Sequence, residues 1–270
     1  MTTFLFWNLN KKRIERLVAN LAELHQVDVL ILTECEIPAQ VMLETLNGGA
    51  SPMFHLTPGQ RQEIVIYTRF SSEFLKKKFD SARLTIRRLS LPGSDEILLA
   101  AVHSPSKLNW KDASQSAECY ELSSSIRRIE EEVGHQRTVL VGDFNMNPFE
   151  DGVVAANGLN AVMSRMVAAR ETRTVQAREY PFFYNPMWGH FGDVTDGPSG
   201  TFYYGSSEHV AYFWNMFDQV LIRPELLSIF RTEALKILSD NGEKSFLTVK
   251  GLPDASVASD HLPILFQLDL

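Results

Sequence analysis

The chain carries only two cysteines, Cys35 and Cys119, and no Cys-x-x-Cys pair. That excludes a disulfide framework and a cysteine-ligated zinc site of the usual spacing, and it fits a reducing compartment. No run of 18 or more apolar residues occurs, so no transmembrane helix is expected. The opening residues, Met1 to Asn8, have no basic stretch ahead of their short apolar run and read as a first strand, not a signal peptide. A cytoplasmic protein is the expectation. A basic excess is missing as well. The net charge of −7 excludes a general nucleic-acid coat protein, whose affinity would rest on many phosphate contacts. It leaves room for an enzyme that handles one phosphate, because local positive charge or a bound cation suffices there. No fixed-period repeat, low-complexity tract or linker divides the chain.

What is present is globular material. With 44% hydrophobic and 22% charged residues over 270 positions, one large core can be filled, and a single domain over residues 1–270 is expected. Phe4–Leu9 has strand length. Ile14, Leu17, Val18, Leu21 and Leu24 then recur at helical spacing, and Asp28–Thr33 reads as a buried strand. Further strands are predicted at Glu63–Arg69, Leu84–Leu89, Ile97–His103, Thr138–Gly142, Phe217–Ile222 and Pro263–Leu268. Helices are predicted at Ala113–Val133, stopping before Gly134, and at Leu159–Ala169. Several strands follow one another with no helix between, which favours mixed or antiparallel sheets with helices outside over a purely parallel sheet. The least regular stretch, Gln176 to Asn215, is rich in aromatics, glycine and proline. Loops this long are functional or disordered, and the aromatic content speaks against disorder.

Polar groups stand where predicted strands end, which is where such scaffolds place active sites. Trp7-Asn8-Leu9-Asn10 closes the first strand and offers neutral amides to a cation or a phosphate. Thr33-Glu34-Cys35 closes the second, with a carboxylate suited to magnesium or manganese. Val102-His103-Ser104-Pro105 supplies a histidine able to move a proton near neutral pH. In Gly142-Asp143-Phe144-Asn145, alternate residues of an extended segment would face one pocket, after a sharp turn that Gly142 permits. Ser259-Asp260-His261-Leu262-Pro263 precedes the last strand, and Asp218 lies in an apolar context that calls for a partner; His261 is the candidate. Taken singly, each has a plainer reading: a turn-forming Asn, a Glu reaching water, a structural His, an Asx-rich turn.

Taken in order, the segments WNLN, LTE, VHSP, GDFNMNP, FDQV and SDHLP resemble the motifs of the endonuclease/exonuclease/phosphatase superfamily, over nearly the whole chain from Phe4 to Leu268. The resemblance implies an α/β four-layer sandwich, two mixed β-sheets face to face with helices outside, whose motifs meet at one end. It implies that Glu34 is the principal metal ligand, helped by Asn8, Asn10 and Asp260. Asp143 would position or deprotonate the nucleophile, with Asn145 orienting it. His261, supported by Asp218, would contact the scissile phosphate. His103 matches the deoxyribonuclease-like branch, with Glu63 a candidate to support it. Two departures stand out: Thr33 where the family often has Gln, and Asn10 where some nucleases have Asp, a neutral amide that should weaken metal binding.

The implied activity is a magnesium-dependent phosphodiesterase, with manganese a possible substitute and a nucleic acid the expected substrate. A phosphomonoesterase, or an enzyme acting on phospholipids or inositol phosphates, is the alternative on the same scaffold. A non-catalytic binding module is the alternative of another class. The aromatic stretch could stack on bases, line an apolar pocket or be core. Among the basic residues, Lys11, Lys12 and Arg13 form one group and Lys76, Lys77, Lys78, Arg87 and Arg88 another. The scatter of Arg165, Arg170, Arg173 and Arg178 precedes the aromatic stretch, so Arg170 and Arg173 are the candidate phosphate-contacting rim.

Overall fold

The computed structural model describes residues 1–49, 53–57, 63–194 and 196–270. Its first half runs β1 (Thr2–Asn8), α1 (Glu15–Leu24), β2 (Val29–Thr33), α2 (Ala39–Leu46), β3 (His55–Leu56), β4 (Ile64–Thr68), β5 (Leu75–Asp80), β6 (Leu84–Leu89), β7 (Ile97–His103) and α3 (Asp112–Val133). The second half runs β8 (Thr138–Asp143), α4 (Asp151–Val154), β9 (Ala161–Val162), α5 (Arg165–Ala168), β10 (Thr172–Val175), β11 (Arg178–Pro181), β12 (Phe183–Tyr184), β13 (Phe202–Tyr203), β14 (Trp214–Asn215), β15 (Asp218–Ile222), β16 (Lys236–Ile237) and β17 (Ile264–Leu268). Among the described residues no helix is long and apolar enough to cross a membrane.

Two large mixed sheets dominate. One has the order β16-β17-β1-β2-β4-β3, the other β5-β6-β7-β8-β15-β12-β9. The alternation of side chains along each strand decides what lies between and outside them. Phe4, Phe6, Ile31 and Ile66 of the first sheet share a core with Leu99, Ala101, Val139, Val141 and Val220 of the second, so the sheets pack face to face. The intervening residues Leu5, Trp7, Leu30 and Leu32 face α1 and α2 through Val18, Leu21 and Met42. On the far side, Leu98, Ala100 and Leu140 face α3 through Cys119, Leu122 and Ile126. The architecture is therefore the expected four-layer sandwich. Fully buried strands explain why the sequence shows continuous apolar runs and little alternation.

Gly134 ends α3 with φ +79°, the left-handed conformation that closes a helix without Cβ strain. Leu24, counted above in the apolar face of α1, is 53% exposed; Val18, Leu21 and Ala22 form the buried face. The helix expected over Leu159–Ala169 is absent. Instead Ala161–Val162 joins the second sheet beside β12, and only Arg165–Ala168 is helical, capped by the Ser164 hydroxyl. Asn160 at φ +51° and the pairing partner Phe183 break the periodicity there. Of the irregular stretch Gln176 to Asn215, Thr195 lies outside the described residues; the rest holds β11 to β14 and buried Phe182, Phe183 and Met187.

Candidate active site

Strand register brings three titratable side chains to one rung. His103, last residue of β7, pairs with Asp143, last of β8. Asp143 in turn pairs with Asp218, first of β15. In the facing sheet, Asn8 ends β1 opposite Thr33 at the end of β2, and Glu34 follows directly. The last element arrives from the far end of the sequence. The Ser259 hydroxyl donates to the Asn8 carbonyl at 2.7 Å, and Trp7 Nε1 donates to the His261 carbonyl at 2.8 Å. Residues separated by more than 250 positions are thereby tied across the mouth of the sandwich.

Gly142 is required by close approach. A Cβ there would lie 1.9 Å from the Val102 carbonyl oxygen, so only glycine lets β7 and β8 pair at Val102–Gly142, one step before the rung. The turn expected at Gly142 comes later, since the strand continues through Asp143. Asn145 reaches Asp143 by a different route from strand alternation. With φ +49° it folds back, and its backbone N–H donates to Asp143 Oδ1 at 2.8 Å, an Asx turn. Its side-chain Nδ2 donates to Asp143 Oδ2 at 3.1 Å and to the Ser104 carbonyl at 3.0 Å. Asn8 Nδ2 adds a third donor to the same carboxylate, at 2.9 Å to Oδ2. Asp143, 1% exposed, is thus held by two amides and a backbone N–H. Asn10 and Glu34 also have positive φ, at +44° and +46°. Left-handed backbone at non-glycine residues is costly, and its concentration here marks a constrained loop cluster.

The electrostatics divide the site in two. In the buried half, His261 Nδ1 lies 2.8 Å from Asp218 Oδ2, and Asp218 is fully buried. Burial pushes the imidazole down, but the charges of Asp218 and Asp143, the Asp218 hydrogen bond and the charge of Asp260 outweigh it, so its pKa is raised. Burial likewise raises Asp218, against the pull of His261. The pair keeps a proton through neutral pH, and the surrounding carboxylates place it on the ring. In the more open half, His103 Nε2 lies 3.3 Å from Glu34 Oε1 and 4.0 Å from Asp143 Oδ2. The His103 hydrogen bond, opposed by burial, lowers Glu34 to about 2. Burial pushes His103 down, yet the Glu34 bond and the two nearby carboxylates raise it overall. His103 Nδ1 is buried without a hydrogen-bond partner among the described residues, and Glu63, exposed ahead of β4, is not one. The carboxylate that stands beside His103 is Glu34, not Glu63.

Asp143, Asp218 and His261 are, among the described residues, the set whose ligand atoms all lie within 4.8 Å of one another. Within that set, His261 Nδ1 and Asp218 Oδ2 already face each other at 2.8 Å. The oxygen donors outside it are Glu34, Asn8, Asn10 and Asp260; Asp260 is half-buried and accepts from the Ser259 hydroxyl at 3.3 Å.

Arg170 and Arg173 are not brought to this site. Their neighbours Glu171 and Thr172 line a cavity with Gly134, His135 and Pro224, at the end where β8 begins. That end is opposite the Asp143 rung. Both arginines are exposed, and Arg173 donates to the Val154 carbonyl at 3.3 Å. The β10–β11 hairpin, which pairs Thr172 with Pro181, carries them there, and sequence proximity to the aromatic stretch gave no warning of it. Two further residues belong to the surroundings: Gln115, and Phe202 of the aromatic stretch. Gln115, fully buried on α3, donates from Nε2 to the carbonyls of Pro105 (2.7 Å) and Asn145 (3.2 Å). Phe202 packs its ring 4.7 Å from that of His261 and forms a bridge with it. Gln115 carries no sequence signal; Phe202 lies in the aromatic stretch, but its contact with His261 is set by residues distant in the chain.

No protein-family model matches the chain. No curated protein matches it either. Solved structures do match along its full length. An endonuclease/exonuclease/phosphatase family protein from Leptotrichia buccalis superposes with a TM-score of 0.58 at 14% identity, covering 100% of both chains. D. rerio TDP2, solved with a single-strand DNA product, gives 0.57 at 16% identity over 100% of this chain and 99% of that one. The 3′ phosphatase NExo from Neisseria, solved with a product DNA hairpin, gives 0.56 at 15% identity over 100% of each chain. At such identities the likeness is one of fold: the chain has the endonuclease/exonuclease/phosphatase fold.

Proposed function

We propose that the chain is a divalent-metal-dependent phosphoesterase, and within that class a phosphodiesterase acting on nucleic acid. The observation that carries the reading is the junction of His103, Asp143 and Asp218 on one rung with His261, under a raised imidazole pKa. A buried acid–histidine pair beside a tightly held second acid is costly to assemble and is what phosphoryl transfer needs.

The donor set fits a hard cation: Glu34, ionised down to about 2, accepts from Asn8 Nδ2 at 3.4 Å, Asn10 follows on the same loop, and Asp260 adjoins Ser259, which is tied to the Asn8 carbonyl, so two carboxylates and neighbouring amides supply hard oxygen donors. These residues would hold magnesium or manganese, which when bound polarises the phosphoryl oxygen and stabilises the leaving oxyanion. The rest falls to the chain itself. Asp143 Oδ accepts a hydrogen from the attacking water and aims it, with Asn8 and Asn145 holding the carboxylate. His261, its Nδ1 anchored by Asp218, presents Nε2 to the phosphate and stabilises negative charge as it develops. His103 Nε2 delivers a proton to the leaving oxygen. The neutral Asn10 makes the ion weaker-bound than an aspartate would.

The test is a panel of end-labelled single- and double-stranded DNA and RNA, incubated with magnesium or manganese. Cleavage that a chelator and Asp143→Ala both abolish is expected. If no nucleic acid is cut, small phosphomonoesters and phospholipid headgroups become the substrates to try; turnover of nothing, with tight binding to a partner, would favour a binding module.

A further inference from the structure

A cavity of about 570 Å³ opens beside the catalytic cluster, within the roughly 300–1,000 Å³ typical of small-ligand sites. It is continuous with the cluster: Asn145, which holds Asp143, is part of its wall, and so is Phe202, whose ring lies on His261. Phe202 and Phe217 stack at 5.3 Å and 21°, giving a flat floor. Tyr204, Tyr212 and Phe213 stand around the mouth, 46–57% exposed. Phe213 has φ +60°, strained for a bulky residue, and its carbonyl accepts from the Tyr204 N–H at 2.8 Å, which fixes this aromatic loop. Exposed aromatics around a catalytic cleft are binding surface more often than chance.

Charge determines what the cavity admits. Among the described residues its wall carries one cation, Lys107, against three carboxylates, Asp112, Glu150 and Glu208. Lys107 is already engaged, at 2.9 Å by Asp112 and 2.5 Å by Glu150. A phosphate entering here would meet uncompensated negative charge. Positive charge lies the other way. Along the second sheet the order is β6, β7, β8, β15, so Arg83, whose carbonyl holds the His103 N–H, flanks the rung on the side away from Phe217. Lys11 and Lys12 follow Asn10 just past the end of β1, and the Lys11 N–H donates to the carbonyl of Glu34, the residue that meets His103.

We propose, resting on the phosphodiesterase reading above, that this cavity receives the terminal nucleoside of a single strand, its base stacked on the aromatic wall with no further phosphate beyond it. The strand's remaining phosphates then run toward Arg83 and Lys11–Lys12, and cleavage is confined to chain ends. One P–O ester bond breaks as the water oxygen joins phosphorus, and the water's proton ends on the released hydroxyl.

Two comparisons with the intact enzyme and magnesium test it. The first sets linear single-stranded DNA against a closed single-stranded circle of the same sequence; the circle should be cut at least ~100-fold more slowly. The second sets three p-nitrophenyl phosphodiesters side by side, which share a leaving group: the thymidine 5′ ester, its abasic deoxyribose analogue and the choline ester. The thymidine ester should have a KM about 5- to 100-fold below the other two, the range of one stacked base. Tyr212→Ala with Phe213→Ala should remove that preference by raising the KM of the thymidine ester toward that of the abasic ester. Equal cutting of circle and linear strand would overturn the inference, as would equal KM for thymidine and abasic esters or a preference for choline. In each of those cases the phosphodiesterase reading stands. Turnover of none of these substrates, nor of the wider panel, would instead defeat the reading on which the inference rests.

Discussion

Far from the candidate site, Arg223 and Glu130 are both buried and joined twice, Nε to Oε1 at 2.8 Å and Nη2 to Oε2 at 3.0 Å. Arg223 Nη1 also donates to the carbonyls of Pro181 and Phe182, and its guanidinium lies 3.8 Å over the ring of Phe183. Thr138 Oγ1 donates to Glu130 at 2.6 Å, so the pair locks α3 to the start of β8 and the end of β15. Replacing Glu130 by alanine leaves a buried guanidinium with Nε and Nη2 unpaired. Removing one partner of such a pair costs about 3–5 kcal/mol, a large part of a typical stability of roughly 5–15 kcal/mol. The double variant Glu130→Met with Arg223→Met removes both charges and should recover most of that loss. Urea unfolding measures it: the midpoint drops for the single variant at unchanged slope and returns for the double. Because Ile222, next to Arg223, pairs with Val139 while the site rung is Asp218 with Asp143, kcat per folded molecule should hold in both. A single-variant loss below ~1 kcal/mol, or a double variant no better than the single, would refute the reasoning.

Other outcomes follow from the same geometry. Gly142→Ala forces β7 and β8 apart at the Val102–Gly142 pair, one step before the His103–Asp143 rung, and should cost at least ~1–3 kcal/mol along with most of the activity, read by thermal unfolding and turnover. Since the carboxylates around His261 raise its pKa, kcat should hold as pH climbs past the ordinary imidazole value of 6.5 and fall only in the alkaline range. Asp218→Asn should bring that fall down toward neutrality; an unchanged pH–rate profile would contradict the assignment. Glu34 is depressed to about 2, so the stability it contributes is full above its ordinary 4.5 and is lost as pH falls from there toward 2. Acid unfolding should accordingly begin at a lower pH in the native protein than in Glu34→Gln.

The fold was legible because its strands are buried on both faces. Runs such as Val29–Leu32 and Leu98–Val102 have no other economical structure, and the order of polar strand ends could be read directly. The segment from Leu159 to Ala169 was misread because two short elements, a two-residue strand and a one-turn helix, together mimic helical spacing. At the site, residues sitting on strand ends stand close together, since register alone carries His103, Asp143 and Asp218 to one rung. Long-range placement was not legible. Nothing local says that Glu34 rather than Glu63 meets His103, that Arg170 and Arg173 lie at the opposite pole, or that Phe202 covers His261. Asn145 shows the middle case: its proximity to Asp143 was readable, but it arises from a left-handed turn and not from strand alternation.

The most direct test is the single-turnover rate of phosphodiester cleavage by the native chain, Asp143→Ala and His261→Ala at saturating magnesium, with folding of each variant checked by thermal unfolding. Metal-dependent cleavage by the native chain, and a loss of at least ~10²-fold in each folded variant, is the expected result. A folded His261→Ala or Asp143→Ala that cleaves at near the native rate would contradict the claim that this cluster carries the chemistry.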